Sequence, residues 1–310
     1  MENRILALGL NPAWQKSLFF DELQFGEVNR AAEAHAIASG KGINFLRAVR
    51  TWGTMEAVLV QPVGGETGRL IRDSLREEGL SARSVAVEAQ TRTCTTLICG
   101  KSASATEIIE PSEALSREEV ERLKREIELA LASSGALALC GTYPPGVSPE
   151  FYAWAAALAR SAGKPVMLDA YQGIHPVLEG GVDFLKINRA ELTALTGSAD
   201  LIDSLSRLRR NYPVGLLAVT DGGDDAFLAL DDGMWMFSVP QVEPFVNPIG
   251  AGDTCTAVLF SEILRGVSPA DAFAGGLAAA SASCMSRYPA VYRKTDAERL
   301  LKSVEVKRLL

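Results

Sequence analysis

The stretch LALCGTYPPGVSPEFYAWAAALARSAGKPVMLD, residues 137–169, decides the fold class. It opens with a short apolar run at 137–140, which is typical of a buried strand. Ser148 and Pro149 then supply a helix N-cap and a first-turn proline, so they predict a helix. A second apolar run follows at Val166–Asp169. Strand, helix and strand in this order are typical of a right-handed βαβ unit in a parallel sheet.

The same alternation continues towards the C-terminus. Strands are predicted at 184–187 and 216–220, and helices at 190–196 and 201–210. Strands this apolar must be covered on both faces. The sequence therefore predicts an α/β fold, with a Rossmann-like, mostly parallel sheet flanked by helices.

Two segments depart from this rhythm, at about 12–38 and 84–110. They are richer in β-forming residues and in alternation, so they predict antiparallel strands outside the main sheet. We interpret them as a small β-sheet lid formed by two insertions into one domain spanning residues 1–310. No linker, low-complexity tract or internal repeat divides the chain.

The chain of 310 residues carries 31 Lys and Arg against 38 Asp and Glu, a net charge of −7. An acidic chain argues against nucleic acid or an anionic membrane as the partner. A small anionic substrate remains compatible, because a few local cations could hold it. The longest uncharged stretches reach about fifteen residues, short of the ~20 that span a bilayer. We see no signal peptide and expect a cytoplasmic protein.

Five cysteines occur without a C-x-x-C pair, and there are two histidines. The odd count and the apolar surroundings of the cysteines predict buried, reduced thiols rather than disulfides or a metal site. Two histidines also make a histidine-based metal site unexpected.

The segment Asn247-Pro248-Ile249-Gly250-Ala251-Gly252-Asp253-Thr254 precedes an apolar helical run. Gly250 and Gly252 leave backbone N–H groups unshielded where a helix begins, and a helix N-terminus favours negative charge. Asp253 beside such an anion site repels phosphate but suits a general base. It would take a proton from a hydroxyl while the N–H groups stabilise the transferring phosphoryl group.

Two other interpretations of this segment stay open. Gly-x-Gly before a helix is also ordinary turn chemistry, with Asp253 as a first-turn helix acid. It could also begin a dinucleotide-binding fingerprint, although Cys255 occupies the third small position and Asp271 follows a helix start rather than a strand. A Walker A loop is excluded, because no Gly-Lys-Ser/Thr follows.

Gly40-Lys41-Gly42-Ile43-Asn44 again exposes glycine backbone at a predicted helix start, with a lysine between the glycines. Lys41 fits either an anion clamp or a solvated loop lysine. This segment is not a Walker A loop either, since Gly42 stands where Ser or Thr should bind Mg²⁺.

Polar residues also follow several predicted strands, where open α/β sheets bind ligands. After the strand at 184–187, Asn188 and Glu191 share one face of the next turn and could organise water around a phosphate-bound Mg²⁺. The alternative is a helix capping box formed by the same pair. Gly141-Thr142-Tyr143 and Thr220-Asp221-Gly222 follow two other strands, and each alone is ordinary loop chemistry.

Taken together, these motifs, in the order Leu10-Asn11-Pro12-Ala13, Gly26-Glu27-Val28-Asn29-Arg30, Gly40–Asn44, Gly141–Gly146, Lys186–Glu191 and Gly250–Thr254, resemble the PfkB sugar kinases of the ribokinase superfamily. The pattern is most similar to the 1-phosphofructokinase and tagatose-6-phosphate kinase branch. It spans nearly the whole chain. The Gly-Ala-Gly-Asp and Gly-Lys-Gly-x-Asn motifs form its specific pair.

The resemblance implies a ribokinase-like fold and phosphoryl transfer from ATP, with Mg²⁺, to a phosphorylated ketohexose of the fructose-1-phosphate or tagatose-6-phosphate type. A monovalent cation is a further candidate cofactor, and the lid of many relatives forms a homodimer contact. Other hypotheses are a kinase of unphosphorylated sugars or nucleosides, a non-catalytic sugar-phosphate sensor, and a nicotinamide dehydrogenase.

The resemblance also implies residue roles. Asp253 would be the catalytic base, and Gly250, Ala251 and Gly252 the anion hole. The sugar or its phosphate would be held by Asn11, Gln15, Arg30, Gly40, Lys41, Asn44, Arg92 and Thr142. ATP and the waters of Mg²⁺ would be served by Lys186, Asn188, Glu191, Thr220 and Gly222, with no direct protein ligand to the metal.

Two positions depart from the family pattern. Gln15 stands where the branch usually has an Asp that grips sugar hydroxyls, so an acceptor is kept and the charge is lost. The loop at 220–225 carries three acids, with Asp225 where relatives commonly have a second glycine. These departures bear on the identity of the sugar and on the nucleotide-side loop, and leave the kinase prediction in place.

Overall fold

A computed structural model describes residues 3–102 and 104–309. The strands, in chain order, are β1 Arg4–Leu8, β2 Ala13–Phe20, β3 Glu33–Ser39, β4 Glu56–Val63, β5 Ala82–Ala86, β6 Thr93–Cys99, β7 Ser104–Ile109, β8 Ala136–Cys140, β9 Val166–Asp169, β10 Val182–Asn188, β11 Val214–Thr220, β12 Ala226–Leu230, β13 Gly233–Phe237 and β14 Val306–Arg308. The helices are α1 Lys41–Trp52, α2 Gly65–Glu77, α3 Arg117–Ala132, α4 Glu150–Ser161, α5 His175–Glu179, α6 Arg189–Thr196, α7 Leu201–Asn211, α8 Ala251–Leu264, α9 Pro269–Ser283 and α10 Lys294–Leu301.

The larger sheet has ten strands in the order β14-β13-β12-β11-β10-β9-β8-β1-β4-β5. Neighbours from β11 to β5 pair in parallel, and β12, β13 and β14 add an antiparallel edge. Side chains alternate across β1, so that Ile5 packs with α1, α8 and α9 and Leu6 packs with α3 and α4 on the opposite face. The predicted mostly parallel sheet covered by helices is confirmed.

The smaller sheet has the order β3-β2-β6-β7, and its strands fall in the two segments that we interpreted as a lid. The outer pairs are antiparallel, but the central strands β2 and β6 run parallel. The expectation of antiparallel strands was therefore wrong for this pair. Both strands follow parallel strands of the larger sheet, β1 and β5, and so leave its carboxyl edge in the same direction.

Local signals placed most helix ends correctly. Ser116 accepts a hydrogen bond from the backbone of Glu119, whose carboxylate accepts one from the backbone of Ser116, so a capping box opens α3. At α4 the expected Ser148 cap is wrong, because Pro149 occupies the cap position without a side-chain bond. In the described part of the chain, no helix is long and apolar enough to cross a membrane.

Candidate active site

A cleft of about 960 Å³ lies between the carboxyl edge of the larger sheet and the smaller sheet. All the predicted site residues except Arg30 line it. Arg30 is exposed in the segment between β2 and β3 and is not among the lining residues, so the structure does not bring it to the site. The strands that end at the cleft are parallel neighbours, which is why segments far apart in sequence meet there.

Asp253 lies in the first turn of α8 and is 8% exposed. Its Oδ2 accepts a hydrogen bond of 2.8 Å from Nδ2 of Asn44 on α1. Burial, and next the negative charge of Asp169, raise the pKa of Asp253 to about 6. A carboxylate with this pKa is ionised at neutral pH and still basic enough to accept a proton.

The turn before Asp253 requires glycine. Gly250 has a φ of +81°, and a Cβ at this position would lie 2.8 Å from the backbone nitrogen of Ala290. A Cβ on Gly252 would lie 2.9 Å from Nζ of Lys186, so the ammonium group approaches the backbone closely. Lys186 is 4% exposed. Unshielded backbone N–H groups and a buried cation thus adjoin the start of α8, an arrangement suited to an anion.

Lys41 lies at the start of α1, and its ammonium group contacts two carboxylates. Its Nζ is 2.6 Å from Oδ1 of Asp169 and 3.6 Å from Oε1 of Glu191. Burial opposes the charged form, but Asp169, Asp253 and Glu191 raise the pKa of Lys41 above its ordinary value. Lys41 is therefore held beside two carboxylates rather than lying free in a solvated loop.

Asp169 is a site residue that the sequence analysis did not single out. It ends β9, is 2% exposed, and accepts hydrogen bonds from Lys41 and from the hydroxyl of Thr256. Burial favours its neutral form, but Lys41 and then Lys186 keep the pKa of Asp169 below its ordinary value. Asp169 ends its strand as Asn188 does, and this position in the sequence could have indicated a site residue.

Asn188 and Glu191 form the capping box that we considered as the alternative. Oδ1 of Asn188 accepts from the backbone of Glu191, and Oε2 of Glu191 accepts from the backbone of Asn188, each at 2.8 Å. The second oxygen of Glu191, Oε1, points towards Lys41, and both residues line the cleft. The helix cap and a ligand-facing carboxylate are thus compatible here.

Side-chain amides form hydrogen bonds at the end of the cleft next to the smaller sheet. Nδ2 of Asn11 donates to Oγ1 of Thr142 at 3.1 Å. Gln15 is 4% exposed, and its Nε2 donates to Oγ1 of Thr96 at 2.9 Å and to the carbonyl of Lys16 at 3.0 Å. No described donor reaches Oε1 of Gln15, so the neutral acceptor expected from the sequence is available at this position.

Three polar groups at this end lack a protein partner within residues 3–102 and 104–309. Nε of Arg92 and Oε1 of Gln61 are buried without a hydrogen bond. Glu107, on the exposed strand β7, lines the cleft without an ion pair. Neither Gln61 nor Glu107 was singled out from the sequence, although Glu107 follows the alternation of its strand.

The sequence matches the pfkB family of carbohydrate kinases over residues 10–293. The chain belongs to this family. The predictions of the family and of a sugar kinase are confirmed, and the nicotinamide dehydrogenase interpretation is excluded.

Similar proteins support the same family and fold. ATP-dependent 6-phosphofructokinase isozyme 2 of Mycobacterium tuberculosis is 28% identical over 303 residues, covering 96% of this chain and 88% of the relative. The structure of a possible 1-phosphofructokinase from Thermotoga maritima has a TM-score of 0.89 at 21% identity, covering 99% of this chain and 100% of that one. Phosphofructokinase-2 of Escherichia coli, in complex with substrates and products, has a TM-score of 0.88 at 21% identity, covering 97% and 99%. The predicted ribokinase-like fold is confirmed.

Proposed function

We propose that the protein transfers the γ-phosphoryl group of ATP to a hydroxyl of a phosphorylated ketohexose, with Asp253 as the general base. The observation that carries this proposal is the position of Asp253 in the cleft. One carboxylate oxygen, Oδ2, is held by Asn44, and no described residue donates to the other, Oδ1. Asp253 directly follows the glycine turn at 250–252, where a transferring phosphoryl group would be bound.

In the proposed reaction, Oδ1 of Asp253 accepts the proton of the sugar hydroxyl as the hydroxyl oxygen attacks the γ-phosphorus. The bond from the γ-phosphorus to the bridging oxygen of ADP breaks. The backbone N–H groups of 250–252 and the ammonium group of Lys186 stabilise the charge on the transferring group. ADP and the phosphorylated sugar leave, and Asp253 releases its proton to solvent.

The nucleotide would lie at the end of the cleft lined by Thr220 and Gly222. Mg²⁺ would neutralise charge on the triphosphate. Oε1 of Glu191, which the helix cap leaves unused, fits a role in binding waters of such an ion. Within the described ranges no group of three or more His, Cys, Asp or Glu could hold a metal. One structure of E. coli phosphofructokinase-2 contains potassium. We therefore also propose a monovalent cation as a cofactor of this protein, and turnover measured with and without K⁺ tests it.

Arg92 supports a phosphate on the acceptor. Its Nη2 donates to the carbonyl of Asn11 at 3.3 Å, but Nε is buried without a partner in the described chain. A buried, charged donor is costly until an anion accepts its hydrogen bond. We propose that Arg92 binds this phosphate together with Lys41, whose ammonium group has hydrogens that the bond to Asp169 leaves unused. In line with this, one structure of E. coli phosphofructokinase-2 is a complex with fructose-6-phosphate.

An ADP-release assay with ATP and Mg²⁺ tests the proposal. The acceptor panel contains fructose 1-phosphate, fructose 6-phosphate, tagatose 6-phosphate, the corresponding free sugars, ribose and a nucleoside. Arg92→Ala should raise KM for sugar phosphates about tenfold or more, the effect of losing one charge-assisted hydrogen bond. Arg30→Ala is the matched control, because Arg30 lies outside the cleft, and it should leave KM unchanged.

Other results of the same assay would favour the alternative functions. Turnover of free sugars or a nucleoside, with Arg92→Ala affecting free and phosphorylated acceptors equally, would favour a kinase of unphosphorylated substrates. Saturable binding of a sugar phosphate without turnover of any acceptor would favour a sensor.

We also propose that the smaller sheet is a lid over this single catalytic domain and forms a homodimer contact. Every residue of β7 is exposed, and the segment between β2 and β3 exposes Phe25 and Val28 at 88% and 80%. Exposed apolar side chains on the smaller sheet favour a protein interface. A relative, E. coli phosphofructokinase-2, has a tetrameric inhibited form. Sedimentation velocity would test the proposal, and a monomer at assay concentrations would contradict it.

A further inference from the structure

Arg47 lies on α1, one turn beyond Asn44, and is 4% exposed. Its guanidinium binds Glu78 through two hydrogen bonds, Nε to Oε2 at 2.6 Å and Nη2 to Oε1 at 2.9 Å. It also donates to the carbonyl oxygens of Ala38 at 2.8 Å and of Pro289 at 3.2 Å. Arg47 does not line the cleft, so it cannot touch substrate directly.

The remaining bond of Arg47 is to Asn44. Nη1 donates to Oδ1 of Asn44 at 3.2 Å, and the hydroxyl of Ser39 donates to the same oxygen at 3.0 Å. An Asn side chain has one acceptor end and one donor end. Two donors at the oxygen end therefore fix the amide so that Nδ2 faces Asp253. A flipped amide would place its NH₂ against two donors and its oxygen against a carboxylate.

We infer that Arg47 is a positioning residue for Asp253: it holds the amide of Asn44 in the one orientation that donates to Oδ2. The free oxygen, Oδ1, is then directed towards the acceptor hydroxyl. The inference rests on the proposed role of Asp253 as the base.

Arg47 also joins the base to the anion hole. Pro289, whose carbonyl it binds, precedes Ala290, and the backbone nitrogen of Ala290 leaves no room for a Cβ on Gly250. Loss of the guanidinium would free both the amide of Asn44 and the segment that packs against the glycine turn.

The ionisable groups that face Asp253 come from four elements: Lys41 on α1, Cys140 on β8, Asp169 on β9 and Lys186 on β10. Glu78, at the end of α2, faces Arg47. The hydrogen bond from Asn44 favours the ionised form of Asp253. Without Arg47 this bond weakens, so the acid limb of the kcat/KM profile should move to higher pH.

The test is Arg47→Met in the full chain, assayed with ATP, Mg²⁺ and the best acceptor of the panel. We expect kcat to fall about 100-fold, the effect of a misplaced catalytic group, with KM for both substrates nearly unchanged. The same substitution in an Asn44→Ala background should lower kcat much less than it does in the wild type, because the two residues act in series on Asp253 and only the contact with Pro289 remains to be lost.

Arg160→Met is the matched control. Arg160 is a half-buried arginine that donates to the carbonyl of Gly181, before β10 and away from the cleft. This variant should lower Tm and leave kcat and the pH profile unchanged.

Since Arg47→Met also leaves Glu78 unpaired, Arg47→Lys is the second variant. It keeps a positive charge beside Glu78 but cannot supply the fork of donors, so kcat should still fall.

The inference is overturned if both Arg47 variants lower Tm while kcat and the acid limb stay those of the wild type. It is also overturned if the loss adds fully to that of Asn44→Ala. The role of Asp253 is tested separately. If Asp253→Asn keeps its turnover, the proposal that Asp253 is the base is wrong. If Asp253→Asn is inactive while the Arg47 variants keep wild-type kinetics, only the positioning role of Arg47 is wrong.

Discussion

Replacing Asp253 by Asn should abolish turnover and at the same time stabilise the fold at neutral pH. The pKa of this carboxyl is about 6 against an ordinary value of 3.8, because burial and Asp169 oppose its ionised form. One pKa unit corresponds to 1.36 kcal/mol, so keeping the ionised group in the folded state costs about 3 kcal/mol above pH 6. Asn carries no charge, and its oxygen can still accept the hydrogen bond from Asn44.

The sign of the pH dependence follows from the same shift. Since the folded pKa is the higher one, the folded state binds more protons between about pH 4 and pH 6. The contribution of Asp253 to wild-type stability therefore falls as pH rises through this window and is level above it. The stability gain of Asp253→Asn should be about 3 kcal/mol at pH 7.5 and only about 1 kcal/mol at pH 4.5.

Urea unfolding of both proteins at the two pH values measures the gain, and ADP release measures turnover. We expect kcat to fall at least about 100-fold, the lower end of what a general base contributes. The wild-type kcat/KM profile should have its acid limb near pH 6. Retained turnover would refute the base, and a stability gain that is independent of pH, or a loss, would refute the raised pKa.

Asp271→Asn is the matched control for the interpretation of Asp253 as an ordinary first-turn acid. Asp271 is in the first turn of α9, is exposed, and accepts a hydrogen bond from Ser268. An exposed acid at a helix N-terminus stabilises the helix, so this variant should lose about 0.3–1 kcal/mol and keep full turnover. If Asp253→Asn behaved in the same way, the turn would be structural only.

The two glycines of the turn should respond differently to alanine. Gly250→Ala should cost about 1–3 kcal/mol and most of the activity, because its positive φ and the backbone of Ala290 both oppose a Cβ. Gly252→Ala should lower kcat with little change in Tm, since the nearest obstacle is the mobile end of Lys186. Equal Tm losses in thermal melts would contradict this contrast. Gln15→Asp removes two buried donor contacts, so it should cost about 1–3 kcal/mol and change KM for the acceptor more than KM for ATP. Unchanged acceptor kinetics would show that this position does not contact the sugar.

Much of the fold could be predicted because its signals are local. The apolar runs of β8 and β9 and the capping boxes at Ser116 and Asn188 depend on neighbours within a few residues. The turn at 250–252 and Asp253 are adjacent in sequence, so the proposed anion hole and the proposed base could be predicted together. The parallel pairing of β2 with β6 could not, because strand direction in a second sheet depends on where the chain leaves the first.

The sequence by itself determined the alternation of strands and helices, the glycine turn, and the acid beside it, since each depends on backbone preferences of consecutive residues. Only the tertiary structure decided the partners of these groups. Lys41 and Asp169 are 128 residues apart, and Asn44 and Asp253 are 209 apart, yet both pairs are in contact. Such contacts depend on the order of strands in the sheet, which brings the carboxyl ends of β1, β8, β9 and β10 to one edge. The pKa of Asp253 and the charge balance of the site follow from that order.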